Sequence, residues 1–332
     1  MKKIEARFRI CLCGRSHARI KALLESTLPA DEILECSADE LNTVARDCEV
    51  IIPIVTRIPQ EIFVGSRIRL IQQYGVGLDV VDIPAASKAG ILVANVSSVG
   101  TGNAESVAEL AIAHLLMLLR DIPLATQRFR ERKLGSPLGR ALWGSTVLVL
   151  GYGDIGQEIA RRLIAFGVRV IAVSRHGPEG KRRRDPSVTP AVHVAFEALP
   201  DVIGSAEAVI VAAPASPENI GLVDARILRA MQPGSVLVNI ARGAVIDYGA
   251  LRSALEDGHL AGAGLDVFWQ EPFDPDDPLL ANRVIATPHI GGVTSRSLEG
   301  IGAAVAANIE RLRGGQLPEG CANPEVWHGT LS

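Results

Sequence analysis

Thr146-Val147-Leu148-Val149-Leu150 leads directly into Gly151-Tyr152-Gly153-Asp154-Ile155-Gly156, and the reading of that junction decides the fold. The first part is an apolar, β-branched run of strand length. The second opens a stretch with apolar positions at Ile155, Ile159, Leu163 and Phe166, the stripe of an amphipathic helix. Glycines at this spacing are common in turns, so the hexapeptide alone says little. Between a buried strand and a helix it becomes specific. Gly151 permits the tight turn, Gly153 lets the backbone approach a pyrophosphate, and Gly156 lets helix pack on strand. The helix N-terminus then offers free N–H donors and a positive dipole end to the anion.

Working outward, short apolar runs alternate with amphipathic stretches almost throughout, the pattern of a parallel α/β fold. The first half offers strands near Arg7–Cys13, Glu49–Val55, Leu70–Tyr74 and Ile91–Ala94, with helical patterns at Ser16–Ser26 and Ala38–Asp47. A second series starts at Thr146 and continues through Val168–Val173, Ala208–Ala213, Ser235–Ile240, Gly262–Val267 and Val284–Thr287. The alternation resets after the polar stretch Arg128–Arg140. Two longer helices are expected, Asn103–Leu119 and Ser295–Leu312, and are read as the struts that join two domains.

The totals agree. A chain of 332 residues exceeds one ordinary domain. With 48% hydrophobic residues, both domains can bury cores, while 4% aromatics leave little for base-stacking platforms. A net charge of −3 gives no reason to expect nucleic acid or an anionic membrane as partner. No apolar run reaches transmembrane length, and no apolar segment follows the charged start. The expectation is a soluble, cytoplasmic protein. Its five cysteines, Cys11, Cys13, Cys36, Cys48 and Cys321, show no metal spacing and read as reduced thiols. Cys11 and Cys13 are expected to point to opposite faces of their strand. His17, His176, His193, His259 and His328 offer no metal spacing either.

Roughly twenty residues past the glycine loop, NAD-specific folds place an acid on the ribose 2′-hydroxyl. Here the strand Arg169–Val173 ends in Ser174-Arg175-His176, with no acid. A guanidinium cannot accept from a hydroxyl but can hold a 2′-phosphate by paired, charge-assisted bonds. NADP(H) is therefore favoured, with NAD(H) as the alternative, in which Arg175 only stacks on adenine. The basic run Lys181-Arg182-Arg183-Arg184 follows on the same loop and ordinarily would be a solvated surface feature.

Further on, ionisable residues stand at the ends of successive strands. Arg242 follows Leu237–Ile240, Asp266 ends Gly264–Phe268 with Glu271-Pro272 just beyond, and His289 ends Ile285–His289. Ligands bind outside the carboxyl ends of strands in such sheets. Singly, each has a plain alternative: a surface arginine, turn chemistry before proline, a capping histidine.

Together with Gly75-Val76-Gly77-Leu78-Asp79, Asn103–Glu109, Ile240–Val245 and Pro288–Gly292, these motifs make the chain resemble the D-isomer-specific 2-hydroxyacid dehydrogenase family from about Leu70 to Asn308. The family includes glyoxylate/hydroxypyruvate reductases and phosphoglycerate dehydrogenases. The resemblance implies two doubly wound parallel-sheet domains joined by two helices. One is a flavodoxin-like substrate domain (1–101 plus 294–332), the other a Rossmann cofactor domain (102–293). It implies hydride transfer between a nicotinamide and C2 of a small 2-keto or 2-hydroxy acid. His289 would be the general acid, Glu271 would hold its other nitrogen and favour imidazolium, and Arg242 would grip the substrate carboxylate and polarise the keto oxygen. Val76 and Gly77 would offer backbone N–H groups to that carboxylate from the opposing domain. The cofactor would meet Val107, Gly151, Gly153, Asp154, Ile155, Gly156, Ser174, Arg175, Ala213, Pro214, Ile240, Ala241, Arg242, Asp266, His289, Gly291 and Gly292. A homodimer, built around the long helix Asn103–Leu119 and the segment after it, is implied as well.

Two departures stand out. The family usually has Asn-x-Pro-Gly before the long helix, whereas Asn95-Val96-Ser97-Ser98-Val99-Gly100-Thr101-Gly102 lacks the proline and is longer by about three residues. The Ser97–Gly102 loop therefore bears on substrate identity. Asn219 stands where relatives commonly carry threonine. His114, on the apolar stripe of the long helix, reads as a packed residue. The competing readings are NAD-dependent, phosphoglycerate-dehydrogenase-like oxidation, disfavoured by the absence of a separate regulatory domain, and a dinucleotide-sensing scaffold akin to a corepressor.

Overall fold

The alternation of strand and helix patterns resolves into two wholly parallel sheets in a computed structural model that describes residues 7–14, 18–179 and 187–327. The chain divides into two units, Met1–Asn103 with Ser295–Ser332, and Ala104–Thr294.

The first unit contains β1 (Arg9–Cys13), α1 (Ala18–Thr27), β2 (Glu32–Cys36), β3 (Val50–Ile52), β4 (Leu70–Gln72), α2 (Ile83–Lys88) and β5 (Leu92–Ala94). The second is built from α3 (Asn103–Arg120), α4 (Ile122–Arg130), β6 (Thr146–Leu150), α5 (Asp154–Ala165), β7 (Arg169–Ser174), β8 (Val192–Ala195), α6 (Leu199–Val202), β9 (Ala208–Val211), α7 (Ala225–Ala230), β10 (Ser235–Asn239), α8 (Tyr248–Glu256), β11 (Leu260–Leu265) and β12 (Val284–Ala286). The chain then rejoins the first unit as α9 (Ser295–Arg313).

Strand order in the first sheet is β2-β1-β3-β4-β5, the flavodoxin-like winding. Alternate residues feed two cores. Ile10, Leu12, Val50 and Ile52 pack with Ile20 and Leu24 of α1 and Val305 and Ile309 of α9, while Ile51, Ile71 and Val93 pack on the other face with Ala86 of α2. The second sheet runs β12-β11-β10-β9-β6-β7-β8, the Rossmann order, with its reversal between β6 and β9. Strands covered on both faces must be apolar at every position, which is why β6, β9 and β10 read as continuous hydrophobic runs.

Three expectations need correction. The helical pattern at Ala38–Asp47 is realised only as two short 3-10 turns, Ala38–Glu40 and Ala45–Asp47. Thr43 sits between them with its hydroxyl bonded to the Glu40 carbonyl, the local competition that interrupts helices. The polar stretch after the long helix begins with a helix of its own, α4. Asp121 (φ +47) breaks the backbone between the two and accepts from Leu124 N as its cap. Cys11 and Cys13 share a face, because residues two apart on a strand must. Both pack with Ile51, Ile71 and Val93, and the β1–β2 register sets Cys13 beside Cys36. The sulfurs of Cys11 and Cys36 are 3.2 Å apart, so cysteines with no metal spacing in sequence meet in space.

α5 carries an ion-pair cluster centred on buried Glu158, with Arg161 and Glu109 open to solvent. Glu158 takes Arg161 and Arg162 at 2.6 Å each, and Arg162 also reaches Glu109 on α3 at 2.9 Å. Burial pushes the Glu158 carboxyl up, but the two guanidiniums outweigh it and hold it below the ordinary 4.5. A carboxylate lowered in the folded state stabilises above its unfolded value, and that contribution is lost as pH falls through the folded one. Glu158→Gln is expected to cost about 1–2 kcal/mol at neutral pH, because its charge-assisted bonds are lost while Arg162 keeps Glu109 and Arg161 is open to solvent. The gap should narrow on acidification below the ordinary glutamate value. Urea unfolding of both proteins across that range checks it, and equal midpoints at pH 7 would contradict it.

Candidate active site

The turn after β6 explains two of its three glycines by the fold alone. Gly151 has φ +101, and a Cβ there would stand 2.4 Å from Ala213 N, in the segment that follows β9. A Cβ on Gly156 would stand 2.0 Å from the Gly151 carbonyl oxygen. Gly153 is different. Its φ of −76 suits any residue, and nothing lies within 4 Å of where its Cβ would be. That open cradle sits at the N-terminus of α5, where Asp154 and Ile155 begin the helix and its first N–H groups lack intrahelical partners. The arrangement fits a dinucleotide pyrophosphate. Ala213 and Pro214 border it at the point where strand order reverses.

At the end of β7, the Ser174 hydroxyl donates to Gly177 O at 3.2 Å and lies 2.9 Å from His193 Nε2. Arg175 is 61% exposed and stands 3.6 Å from Glu218, which is equally open to solvent. An exposed pair at that distance contributes little, so the guanidinium can turn to a ligand at small cost. Neither His193 nor Glu218 was legible as a neighbour. His193 is carried by β8, which has no clear strand pattern, and Glu218 arrives from the loop after β9. The basic run Lys181–Arg184, like His17 and His328, lies outside the described residues.

Arg242, Glu271 and His289 come together in the second unit. His289 Nδ1 is 2.8 Å from a Glu271 carboxylate oxygen, and the other Glu271 oxygen accepts Phe268 N at 3.1 Å. Burial pushes the Glu271 carboxyl up, yet the bond and charge of His289, the Phe268 amide and the charge of Arg242 bring it below the ordinary value. His289 has φ +52, a left-handed backbone that a side chain with a Cβ adopts at a cost of order 1–3 kcal/mol. Such strain persists only where neighbours over-determine it, and Asp266 does so here. One of its oxygens accepts Thr287 Oγ1 (2.6 Å) and Ile290 N (2.8 Å), the other Gly291 N (2.8 Å), so it grips the chain on both sides of His289.

Asp266 is thus a buried positioning residue, at 2% exposure. His114 joins the same network, its Nε2 3.0 Å from Thr287 Oγ1; desolvation lowers its pKa, as suits a packed neutral imidazole. Gly291 lies against Val107 of α3, and Gly292 follows it. Arg242 is set by a residue that sequence reading missed. Buried Asn239 donates from Nδ2 to Arg242 O (3.0 Å) and accepts Ala241 N (3.1 Å), fixing the turn after Ile240. Gly243 then lets that turn approach the next segment, since a Cβ would lie 2.2 Å from the Phe268 carbonyl carbon. The Arg242 guanidinium is anchored through Nη1 to Ala241 O at 2.8 Å.

In the first unit, Val76 and Gly77 lie on the loop after β4. Their carbonyls accept Asn95 Nδ2 and Gln73 Nε2, each at 2.7 Å. The Ser97–Gly102 loop is a tight turn: Val99 N donates to Ser97 Oγ (3.1 Å) and Thr101 Oγ1 to Ser98 O (3.2 Å). Asn219 finds a structural explanation, donating from Nδ2 to Pro214 O at 2.7 Å and so closing the loop beside the glycine turn. No helix among the described residues is long and apolar enough to cross a membrane.

Comparison with known proteins matches residues 112–291 to the D-isomer specific 2-hydroxyacid dehydrogenase, NAD binding domain. A glyoxylate reductase from Thermococcus gammatolerans is 33% identical over 310 residues, 91% of this chain and 88% of that protein. A D-3-phosphoglycerate dehydrogenase from Mycobacterium bovis is 36% identical over 276 residues, 81% of this chain but 49% of that longer protein. Among solved structures, the NADPH-dependent glyoxylate/hydroxypyruvate reductase of Sinorhizobium meliloti, in complex with NADP and malonate, superposes with a TM-score of 0.80 at 29% identity, covering 98% of this chain and 100% of that one.

Proposed function

The chain belongs to the D-isomer specific 2-hydroxyacid dehydrogenase family and is an NAD(P)-dependent oxidoreductase, and from that premise we propose that it reduces small 2-keto acids of the glyoxylate and hydroxypyruvate class, preferring NADPH. The observation that carries the reading is the 2.8 Å His289–Glu271 pair on a strained backbone, with Arg242 near enough to act on the same carboxylate.

The dinucleotide, when bound, supplies the hydride. Gly151, Gly153, Asp154, Ile155 and Gly156 would hold its pyrophosphate, with Val107, Ala213, Pro214, Ile240, Ala241, Gly291 and Gly292 along its length. The chain's own residues do the rest. With Nδ1 committed to Glu271, the His289 Nε2 carries the transferable proton and gives it to the keto oxygen as C2 is reduced. Glu271 holds the ring in one orientation. Arg242 binds the carboxylate and polarises the carbonyl, work suited to a planar fork of donors. Val76 and Gly77 are assigned to the substrate carboxylate through their peptide N–H groups.

Exposed Phe129, Leu134, Leu138 and Trp143, clustered in sequence after α3, support a homodimer formed through that segment. The test of function is turnover: purified protein is assayed with a panel of 2-keto acids and both reduced cofactors. Dinucleotide binding without oxidation of either cofactor by any keto acid would replace this reading with a dinucleotide-sensing scaffold.

Cofactor choice rests on Arg175 and on the lack of an acid at the end of β7. Arg175→Ala is expected to lower kcat/KM for NADPH about 10–100-fold, the worth of a charge-assisted bond, while leaving NADH nearly unchanged. Glu218→Gln removes a negative charge beside the same guanidinium and should raise the NADPH/NADH ratio several-fold. A clear NADH preference in the unaltered enzyme would sink the assignment.

A further inference from the structure

We propose that Cys11, Cys13 and Cys36 form a binding site for a thiophilic divalent d10 ion of the zinc class, inside the first unit and separate from the catalytic residues. The three sulfurs lie within 4.8 Å of one another, and all three residues are buried. Sulfurs around one zinc ion, each at about 2.3 Å from it, stand about 3.8–4 Å apart, so the spread needs only small side-chain adjustment. The backbone already holds the three in place. Cys11 and Cys13 share a face of β1, and Cys36 is the register partner of Cys13 on β2. A fourth thiol, Cys48, is buried in the same cluster.

A buried cysteine ordinarily serves as a small apolar side chain. Convergence distinguishes these. Packing alone does not require two sulfurs at 3.2 Å, nor three from two strands within 4.8 Å of one another. The donor set is wholly soft, which selects against magnesium and calcium and for thiophilic ions. Charge favours a divalent ion. Three thiols lose one proton each on binding, so a divalent ion leaves a net −1 and a monovalent ion −2, a costlier charge in an apolar core. The bound ion would tie β1 to β2. Because the thiols are buried, it would enter as the chain folds or as this edge of the sheet opens.

The full chain, produced in zinc-supplemented medium and purified without chelator or reductant, should carry about one zinc ion per chain by elemental analysis. After unfolding with chelator and refolding with cobalt(II) alone, it should show thiolate-to-cobalt charge-transfer absorption. Cys13→Ala and Cys36→Ala should abolish both signals while keto-acid turnover reports that they are folded, and Cys321→Ala should keep both. If the two core variants fail to fold, the unaltered chain decides by itself. Less than about a tenth of an ion per chain, with no cobalt band, overturns the proposal. So does metal retained by folded Cys13→Ala and Cys36→Ala, or a Cys11–Cys36 disulfide found by mass in metal-free protein.

Discussion

His289→Ala is expected to lower kcat for keto-acid reduction by about 10²–10⁴-fold, the range for loss of a positioned general acid. Dinucleotide affinity, read by quenching of NADPH fluorescence, should change far less. The expectation rests on a side chain whose second nitrogen is already spoken for, Nδ1 being 2.8 Å from Glu271, so only Nε2 can deliver the proton. His289→Asn is the companion variant, because asparagine tolerates the left-handed backbone at this position (φ +52) but cannot act as the acid. Both should be similarly impaired if proton transfer is what was lost. Glu271→Gln should cost less in kcat, because it leaves the imidazole in place and weakens only the contact that orients it. Glu271 itself, held below the ordinary glutamate value, keeps its charge through the neutral range; the pair is lost only as pH falls through that lowered value. Residues acting as one unit are not additive, and the double variant should be little worse than His289→Ala. Unimpaired turnover in His289→Ala removes this residue from the mechanism.

Arg242→Ala carries the second large effect, a fall in kcat/KM of about 10²–10³-fold, as for removal of a donor from a developing oxyanion. Part should appear in KM for the keto acid, because the same guanidinium is assigned to the carboxylate. Arg242→Lys separates charge from shape. A lysine ammonium cannot present two parallel donors, so it should recover only a fraction of the loss. The backbone should not move in either variant. Asn239 holds the Arg242 carbonyl, and Gly243 packs on the Phe268 backbone, independently of the side chain. A change in NADPH affinity as large as the change in keto-acid kcat/KM would instead mean that Arg242 serves the cofactor.

The sheet's parallel character, the two strand series and the glycine turn were open to inspection in the chain itself, because each is a local pattern. β6 is apolar at successive positions, α5 has a stripe of helical period, and the glycines sit at their junction. The ends of β10, β11 and β12 likewise marked Arg242, Asp266 and His289, since a strand's carboxyl end can be read without knowing its neighbours. Other features escaped for physical reasons. β8 is a short, half-buried edge strand with weak patterning. α4 follows a break at Asp121 that depends on one backbone torsion. Asp266 could be marked at a strand end, but not the engagement of its oxygens by Thr287, Ile290 and Gly291, which lie beyond the next strand.

By itself, then, the amino-acid order determined the parallel α/β architecture and the glycine turn, and it marked Arg242, Glu271 and His289 as candidates. Periodicity and strand-to-turn transitions depend only on residues close in the chain. Tertiary structure alone decided what stands beside what. Glycine at 151 and 156 is demanded by neighbouring backbone, whereas nothing lies within 4 Å of where a Cβ on Gly153 would be. Glu218 and His193 are brought to the end of β7, Asn239 sets Arg242, and three cysteines from two strands are drawn together. Those juxtapositions follow from strand order and register, which arise from packing the whole sheet, and no local stretch of sequence contains them.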